Sequence, residues 1–164
     1  MVLERKYGSV AAIAAPGTLD GGDICQAGRH FFIGLSHRTN DEGARQLTAW
    51  LIQAGYTAST INIRDNSALL HLKSGISWLG DNTLVVTEAL ADHEELHGYS
   101  QIVTTAAENY AANCVRVNDA VLMAKGYPDI ANRVAALGRD GVVLDVAEFA
   151  KMDGGLSCLS VRIP

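Results

Sequence analysis

The sequence predicts an α/β fold built from repeated strand–strand–helix–strand modules. Two short apolar segments flank a turn, a helical segment follows them, and a further apolar segment ends the unit. This order occurs three times at a spacing of about 40–50 residues, with no linker or low-complexity segment between the copies. Modules of this size favour a radial or solenoid assembly over one open sheet. The 164 residues suffice for a hydrophobic core, and we expect residues 1–164 to form a single domain.

The first module carries the clearest local signals. Residues 23–26 and 31–35 are predicted to be apolar strands joined by a turn. Asn40 is the expected cap of a helix with acidic residues in its first turn, and Gly55 is its expected end. Residues 60–63 follow as a strand. The apolar face of the helix is predicted to comprise Ala44, Leu47, Leu51 and Ile52.

The other two modules repeat the same order. The segments predicted for the second module are strands 76–79 and 83–87, a helix over 89–97 and a strand over 101–104. The segments predicted for the third are strands 114–117 and 120–124, a helix over 128–137 and a strand over 142–145. A short turn over 148–152 then leads into a last alternating strand, 153–163, which contains Cys158.

Composition disfavours several classes of partner. The net charge is −5 and no block of lysine and arginine occurs, which disfavours a nucleic-acid or anionic-membrane partner. The apolar runs are far shorter than a membrane span, and the first residues carry no convincing secretory signal. Three cysteines without a C-x-x-C pair do not form a disulfide framework, so we expect a reducing, cytoplasmic setting. Cys25 and Cys114, both in strand-like runs, are expected to be buried thiols.

Cys158 is the candidate nucleophile. Gly154 and Gly155 precede it, and glycines permit a constrained turn from which a thiol can reach a substrate. The alternative is a small buried hydrophobic residue, which is what most free cysteines are. A nucleophilic cysteine needs an acid or base, and the spacing around Cys158 does not provide one.

Polar residues in three other segments are candidates for such a site. Asp20 and Asp23 bracket two glycines, which could hold a carboxylate against a cation, although the spacing favours a turn with solvated acids. His71 lies between leucines in a predicted strand. Its imidazole could be a buried part of the core, or it could act as an acid or base near pH 7. Arg38 follows a strand and could bind a carboxylate with its guanidinium or lie on the surface.

The segment from His93 to His97 matches H-E-x-x-H, in which two histidines on one helical face bind zinc. The predicted helix is short and polar and is stopped by Gly98, and no later histidine could act as a third ligand. We therefore favour a solvated helix face over a zinc site here, and keep a zinc hydrolase using His93 and His97 as an alternative.

Four short motifs occur together in one order: L-D-G-G-D at 19–23, G-L-S-H-R-T-N at 34–40, L-H-L-K-S at 70–74 and D-G-G-L-S-C at 153–158. In combination they resemble the dimethylarginine dimethylaminohydrolases, which belong to a guanidino-modifying superfamily with arginine deiminases and amidinotransferases. Arginine deiminases typically carry an aspartate two residues after the histidine. Lys73 occupies that place here, which favours the dimethylarginine hydrolase branch.

The resemblance implies a catalytic set of Cys158, His71 and Asp20. Arg38 would bind the α-carboxylate of the substrate, and Asp153 would lie near the guanidinium. The cysteine would attack the guanidinium carbon to give a covalent thiouronium, which water would release as citrulline. No metal and no organic cofactor would be required.

The resemblance also implies a fold of the α/β-propeller (pentein) type, in which five modules close a ring around the site. About three of the five modules are expected here, with the N-terminal modules missing. The chain would then be a fragment, have its ring completed by a partner chain, or have an incomplete site, and we expect association with another copy. Two alternatives besides zinc remain: an inactive module that only self-associates, and an arginine deiminase.

Overall fold

Three small sheets make up the computed structural model, which describes residues 10–160. In each sheet the first strand is antiparallel to the second, and the third is parallel to the second. The strands are β1 (Ile24–Ala27), β2 (His30–Leu35), β3 (Thr57–Asn62), β4 (Ile76–Gly80), β5 (Thr83–Thr87), β6 (Ser100–Thr104), β7 (Val115–Val117), β8 (Ala120–Ala124) and β9 (Asp140–Leu144). The α-helices are α1 (Asp41–Gln53), α2 (Glu88–Ala91), α3 (Pro128–Ala136) and α4 (Ala147–Ala150). The predicted α/β class is therefore confirmed.

Residues with a left-handed backbone conformation form the tight turns inside the modules. Gly28 between β1 and β2 has φ +63°, Asn82 between β4 and β5 has φ +59°, and Asn118 between β7 and β8 has φ +55°. Glycine and asparagine tolerate this region better than other residues, so each turn is set by its own sequence.

Both ends of α1 follow from local chemistry. The Asn40 side chain accepts a hydrogen bond from the Gly43 N–H at 2.8 Å, which satisfies a free donor of the first turn. Gly55 has φ +81° and its N–H donates to the Ile52 carbonyl, so the helix ends where the sequence predicted. The predicted apolar face is wrong for Ile52, which is 61% exposed. Ile52 follows Leu51 by one residue, and one residue turns a helix by about 100° away from the packed face.

The core lies between neighbouring modules. Phe32 and Ile61 of the first module pack with Leu72 and Leu84 of the second in one buried cluster. A second cluster joins Leu79 and other residues of the second module to the third module. The packing of module on module therefore decides which loops meet at the site. Cys25 and Cys114 are buried in these clusters, as predicted.

The outer strand of the third module differs from its counterparts. All five residues of β9 are exposed, and Val143 in its centre is 51% exposed. The corresponding strands β3 and β6 each bury an isoleucine, Ile61 and Ile102, in a cluster formed with the following module. An apolar surface of β9 thus remains uncovered, together with Phe149 and Met152.

Three predicted segments have a different conformation. His71 lies in a bend before a 3₁₀ helix, Leu72–Ser74, and not in a strand, because the Leu72 N–H donates to a side chain of the first module. Cys158 lies in a turn and not in a strand, because its N–H donates to the Gly155 carbonyl. The rest of the predicted last strand, residues 161–163, lies outside the described residues. The helix predicted over 89–97 is divided into α2 and the 3₁₀ helix Glu94–Leu96.

Within residues 10–160, no helix has both the length and the apolar character needed to cross a bilayer.

Candidate active site

Asp20, Arg38 and His71, which the sequence placed in three separate motifs, meet at one point of the fold. His71 Nε2 lies 3.4 Å from Asp20 Oδ2, and Arg38 Nη1 lies 3.6 Å from the same oxygen. The Arg38 side chain is 55% exposed, whereas the His71 side chain is mostly buried. Nε2 of His71 has no hydrogen-bond partner in the described part of the chain, so the contact with Asp20 is electrostatic. The arrangement combines a carboxylate, a sheltered imidazole and a guanidinium accessible to solvent.

The Asp20 carboxylate is held in its ionised form. The Gly22 N–H donates to Asp20 Oδ1 at 2.8 Å, and this bond is the largest cause of a lowered pKa for Asp20. Partial burial opposes the shift, while His71 and Arg38 add to it. Asp20 is therefore negative at neutral pH. The interpretation of both acids as solvated is wrong for Asp23, which is fully buried.

Gly22 is the position where the site needs a glycine. A Cβ placed on Gly22 would lie 2.6 Å from both Cγ and Cδ2 of His71. The imidazole thus packs directly on the backbone of the 3₁₀ helix Gly21–Asp23. The L-D-G-G-D motif alone gives no sign of this contact, because its partner is distant in the chain.

Replacement of Gly22 with alanine is expected to lower kcat for the activity proposed below by about 10²-fold, because the new methyl group displaces the imidazole. Gly21→Ala is the matched control. Gly21 lies in the same 3₁₀ helix, and a Cβ placed on it would have no neighbouring atom within 4 Å. Steady-state kinetics and thermal unfolding of both variants check the prediction. Equal kcat values for the two variants would contradict it.

Cys158 and Asp153 lie in the segment that follows α4. Cys158 is exposed, and within residues 10–160 no hydrogen bond or ion pair joins its sulfur to His71. Asp153 is also exposed and has a left-handed backbone with φ +56°. The structure thus brings three of the five predicted site residues into contact, whereas no hydrogen bond or ion pair joins Cys158 or Asp153 to them within residues 10–160.

Side chains at the start of the third module anchor this segment. The Ser157 N–H donates to Asn113 Oδ1 at 2.9 Å, and the Tyr110 hydroxyl donates to the Gly154 carbonyl at 2.6 Å. Gly155 lies directly on Asn113, because a Cβ there would be 2.5 Å from its amide nitrogen. Asn113 and Tyr110 belong to none of the sequence motifs, so the sequence alone gave no sign of their role.

Two cavities lie between the segment of His71 and the segment of Cys158. The first, of about 300 Å³, is lined by Lys73 from one segment and by Ser157 and Ser160 from the other. The second, of about 260 Å³, is lined by Leu70 and Ser74 on one side and by Asp153 and Gly155 on the other. Residues from both segments therefore contribute to the walls of the same two cavities, although His71 and Cys158 themselves line neither.

The H-E-x-x-H segment does not have the geometry of a zinc site. His93 and His97 flank a 3₁₀ helix of three residues, so they do not share one face of an α-helix. His93 Nδ1 lies 3.8 Å from Glu95 Oε2. Among residues 10–160 no cluster of three metal-binding side chains occurs.

Comparison with known proteins identifies the family. The model of the family described as arginine deiminase matches residues 4–121. The chain belongs to the arginine deiminase family. The chain is similar to two curated N(G),N(G)-dimethylarginine dimethylaminohydrolases. The enzyme of Pseudomonas aeruginosa is 41% identical over 161 residues, which are 98% of this chain. That of Streptomyces coelicolor is 34% identical over 155 residues, 94% of this chain.

The same relationship holds in three dimensions. A solved variant of the dimethylarginine dimethylaminohydrolase from Pseudomonas aeruginosa, complexed with citrulline, superposes with a TM-score of 0.92 at 40% identity over 99% of this chain. The chain matches only part of the length of these relatives. It spans 62% and 58% of the two curated relatives and 63% of the solved structure.

Proposed function

We propose that this chain takes part in the hydrolysis of Nω-methylated arginine to citrulline and a methylamine. The observation that carries the proposal is the contact of Asp20 with both His71 and Arg38. Similarity to two curated dimethylarginine dimethylaminohydrolases supports the choice of substrate class. The substrate has a planar cationic guanidinium and a distant carboxylate. These groups are complementary to the carboxylate of Asp20 and to the exposed guanidinium of Arg38, and the His71 imidazole lies beside them.

Arg38 binds the α-carboxylate in this proposal, because an exposed guanidinium can donate two parallel hydrogen bonds to a carboxylate. Asp20 keeps the His71 ring in place through the 3.4 Å contact. Asp153 is proposed to lie near the guanidinium once the substrate is bound. Its position on the wall of the second cavity supports this assignment.

Cys158 is the proposed nucleophile. Its thiolate forms a C–S bond with the guanidinium carbon, the bond from that carbon to the methylamine breaks, and protonated His71 gives its proton to the departing amine. A thiouronium remains on Cys158. Neutral His71 then takes a proton from water, and the resulting hydroxide attacks the same carbon. Cleavage of the C–S bond returns the thiolate, and the protonated urea gives its hydroxyl proton to the free methylamine, which yields citrulline. No metal and no organic cofactor enters these steps.

The two steps require Cys158 to come within reach of His71. Chain neighbours of both residues line the same two cavities, which supports a substrate site between the two segments. The uncovered surface of β9 supports a further proposal: additional modules pack there and complete a ring of the propeller type, from a second copy or from further polypeptide. Cys158 must remain a thiol, which favours a reducing compartment such as the cytoplasm.

Arginine deiminase activity is the second candidate, because the family model that matches residues 4–121 is the one described as arginine deiminase. Lys73, in place of the aspartate typical of those enzymes, favours the methylated substrate. The two candidates differ only in the leaving group, ammonia or a methylamine.

Incubation of the full chain with asymmetric dimethylarginine and with arginine, each at the same concentration, tests the proposal. We expect citrulline and dimethylamine from the methylated substrate, and a transient mass increase confined to the peptide of Cys158. Citrulline from arginine alone would establish the second candidate. Neither citrulline nor an adduct, in a chain whose sedimentation and circular dichroism report a folded assembly, would overturn both and leave a self-associating module.

A further inference from the structure

Asp23 is a fully buried carboxylate at the end of the 3₁₀ helix Gly21–Asp23, and Asp20 is the residue that caps the start of this helix. Asp23 Oδ2 accepts hydrogen bonds from the hydroxyls of Ser36 and Thr39, each at 2.7 Å. Its Oδ1 accepts a third from the Leu72 N–H at 3.0 Å. Two separate segments of the chain, residues 36–39 and the segment of Leu72, therefore converge on one side chain.

Each of these bonds leads to a different residue of the candidate site. The Ser36 hydroxyl accepts from the Arg38 N–H at 2.9 Å, and the Thr39 hydroxyl accepts from the Asp20 N–H at 3.0 Å. Leu72 follows His71 directly in the chain. Asp23 is thus one intermediary away from Arg38, Asp20 and His71.

The chemistry of these bonds requires an ionised carboxylate. All three partners of Asp23 donate a proton, and a carboxylate is the side chain that only accepts. An asparagine would present its NH₂ group to at least one donor. No cation pairs with Asp23 in residues 10–160, so hydrogen bonds alone offset the cost of burying its charge.

A second feature fits the same arrangement. A Cβ on Gly34 would lie 2.7 Å from the Cβ of Leu72 and 3.3 Å from Asp23 Oδ1. Gly34 in β2 therefore lets the segment of His71 approach the buried carboxylate. This explains the glycine at the start of the G-L-S-H-R-T-N motif.

We propose that Asp23 is a positioning residue, which sets the mutual arrangement of Asp20, Arg38 and His71. The inference rests on the proposed function and deepens it. Asp23 does not touch the substrate, and its effect reaches the reaction through the three residues. Loss of the carboxylate misplaces the group that binds the substrate and the group that transfers protons.

Asp23→Asn tests the proposal, with Glu108→Gln as the matched control. Glu108 is also a carboxylate that accepts two backbone N–H groups, from Asp129 and Ile130 at the start of α3, and it lines neither cavity. We expect Asp23→Asn to reduce kcat/KM by about 10²-fold through changes in both kcat and KM, at temperatures where the variant is folded. Glu108→Gln should lower thermal stability and leave both constants unchanged.

The NMR signals of the His71 ring give a readout that does not need turnover. His71→Ala assigns them among the five histidines. Asp23→Asn should shift these signals and Glu108→Gln should not, whether or not the chain forms citrulline, so failure of the proposed function is separate from failure of this inference. Unmoved His71 signals in folded Asp23→Asn would overturn the inference.

Two milder variants keep the test decisive if Asp23→Asn does not fold. Ser36→Ala removes the link to Arg38 together with the bond from the Thr39 N–H, but it keeps the Thr39 hydroxyl on Asp23. It should raise KM by about tenfold with kcat preserved. Thr39→Val removes only the link to Asp20 and should lower kcat by a similar factor. The opposite pattern, or no change in either constant, would overturn the inference.

Discussion

Cys158→Ser is expected to reduce citrulline formation by a factor on the order of 10⁴–10⁶, because the variant loses the attacking thiolate. A serine hydroxyl is a far weaker acid than a thiol and is almost entirely protonated at neutral pH. A coupled assay for citrulline measures the loss. When the variant is incubated with substrate, the peptide that contains residue 158 should also show no mass increase.

The other two cysteines provide the control for a native fold. Cys158 is exposed, whereas Cys25 and Cys114 are buried, and burial raises the pKa of the Cys114 thiol to about 11. The native chain should therefore react with one equivalent of a thiol reagent, and Cys158→Ser with none until it is unfolded. Citrulline formation that persists in a natively folded Cys158→Ser chain would refute the assigned nucleophile.

His71→Ala is expected to lower kcat by about 10²–10⁴-fold, since the same imidazole serves as the acid in the first step and as the base in the second. The ring is mostly buried and lies 3.4 Å from the ionised Asp20, which holds it in place for both steps. The dependence of kcat on pH near neutrality should also flatten in the variant. Steady-state kinetics across pH 5–9, a range chosen to bracket the ordinary histidine pKa of about 6.5, provides the measurement.

His93→Ala is the matched control for this variant. It removes an imidazole from the H-E-x-x-H segment, which lies in a different part of the second module. The variant should keep the activity of the parent chain. Loss of activity in His93→Ala together with full activity in His71→Ala would reverse the assignment and restore the zinc alternative.

Much of the fold was predictable because its elements depend on local chemistry. Asn40 caps α1 and Gly55 ends it through backbone groups within a few residues, so the sequence alone locates the helix. The turns between paired strands likewise depend on glycine or asparagine at the turn itself. The prediction was wrong for Ile52, where the choice between core and solvent depended on what packs against α1.

The conformations around His71 and Cys158 were less predictable. Leucines on both sides of His71 give the alternation of a strand, but the Leu72 N–H is bound by Asp23, 49 residues earlier in the chain. The segment of Cys158 also alternates, yet Asn113 and Tyr110 hold it in a turn. Contacts over such distances in sequence outweigh local preference, and no short pattern reports them.

The sequence by itself determined the order of the modules, the turns and caps within them, and the residue types available for chemistry. The tertiary structure decided which of these residues are neighbours: Asp20 meets His71 and Arg38, Gly22 lies under the imidazole, and Asp23 joins their three segments. The physical reason is that caps and turns form between atoms already close along the chain. Site geometry arises only when buried clusters between modules bring distant loops together.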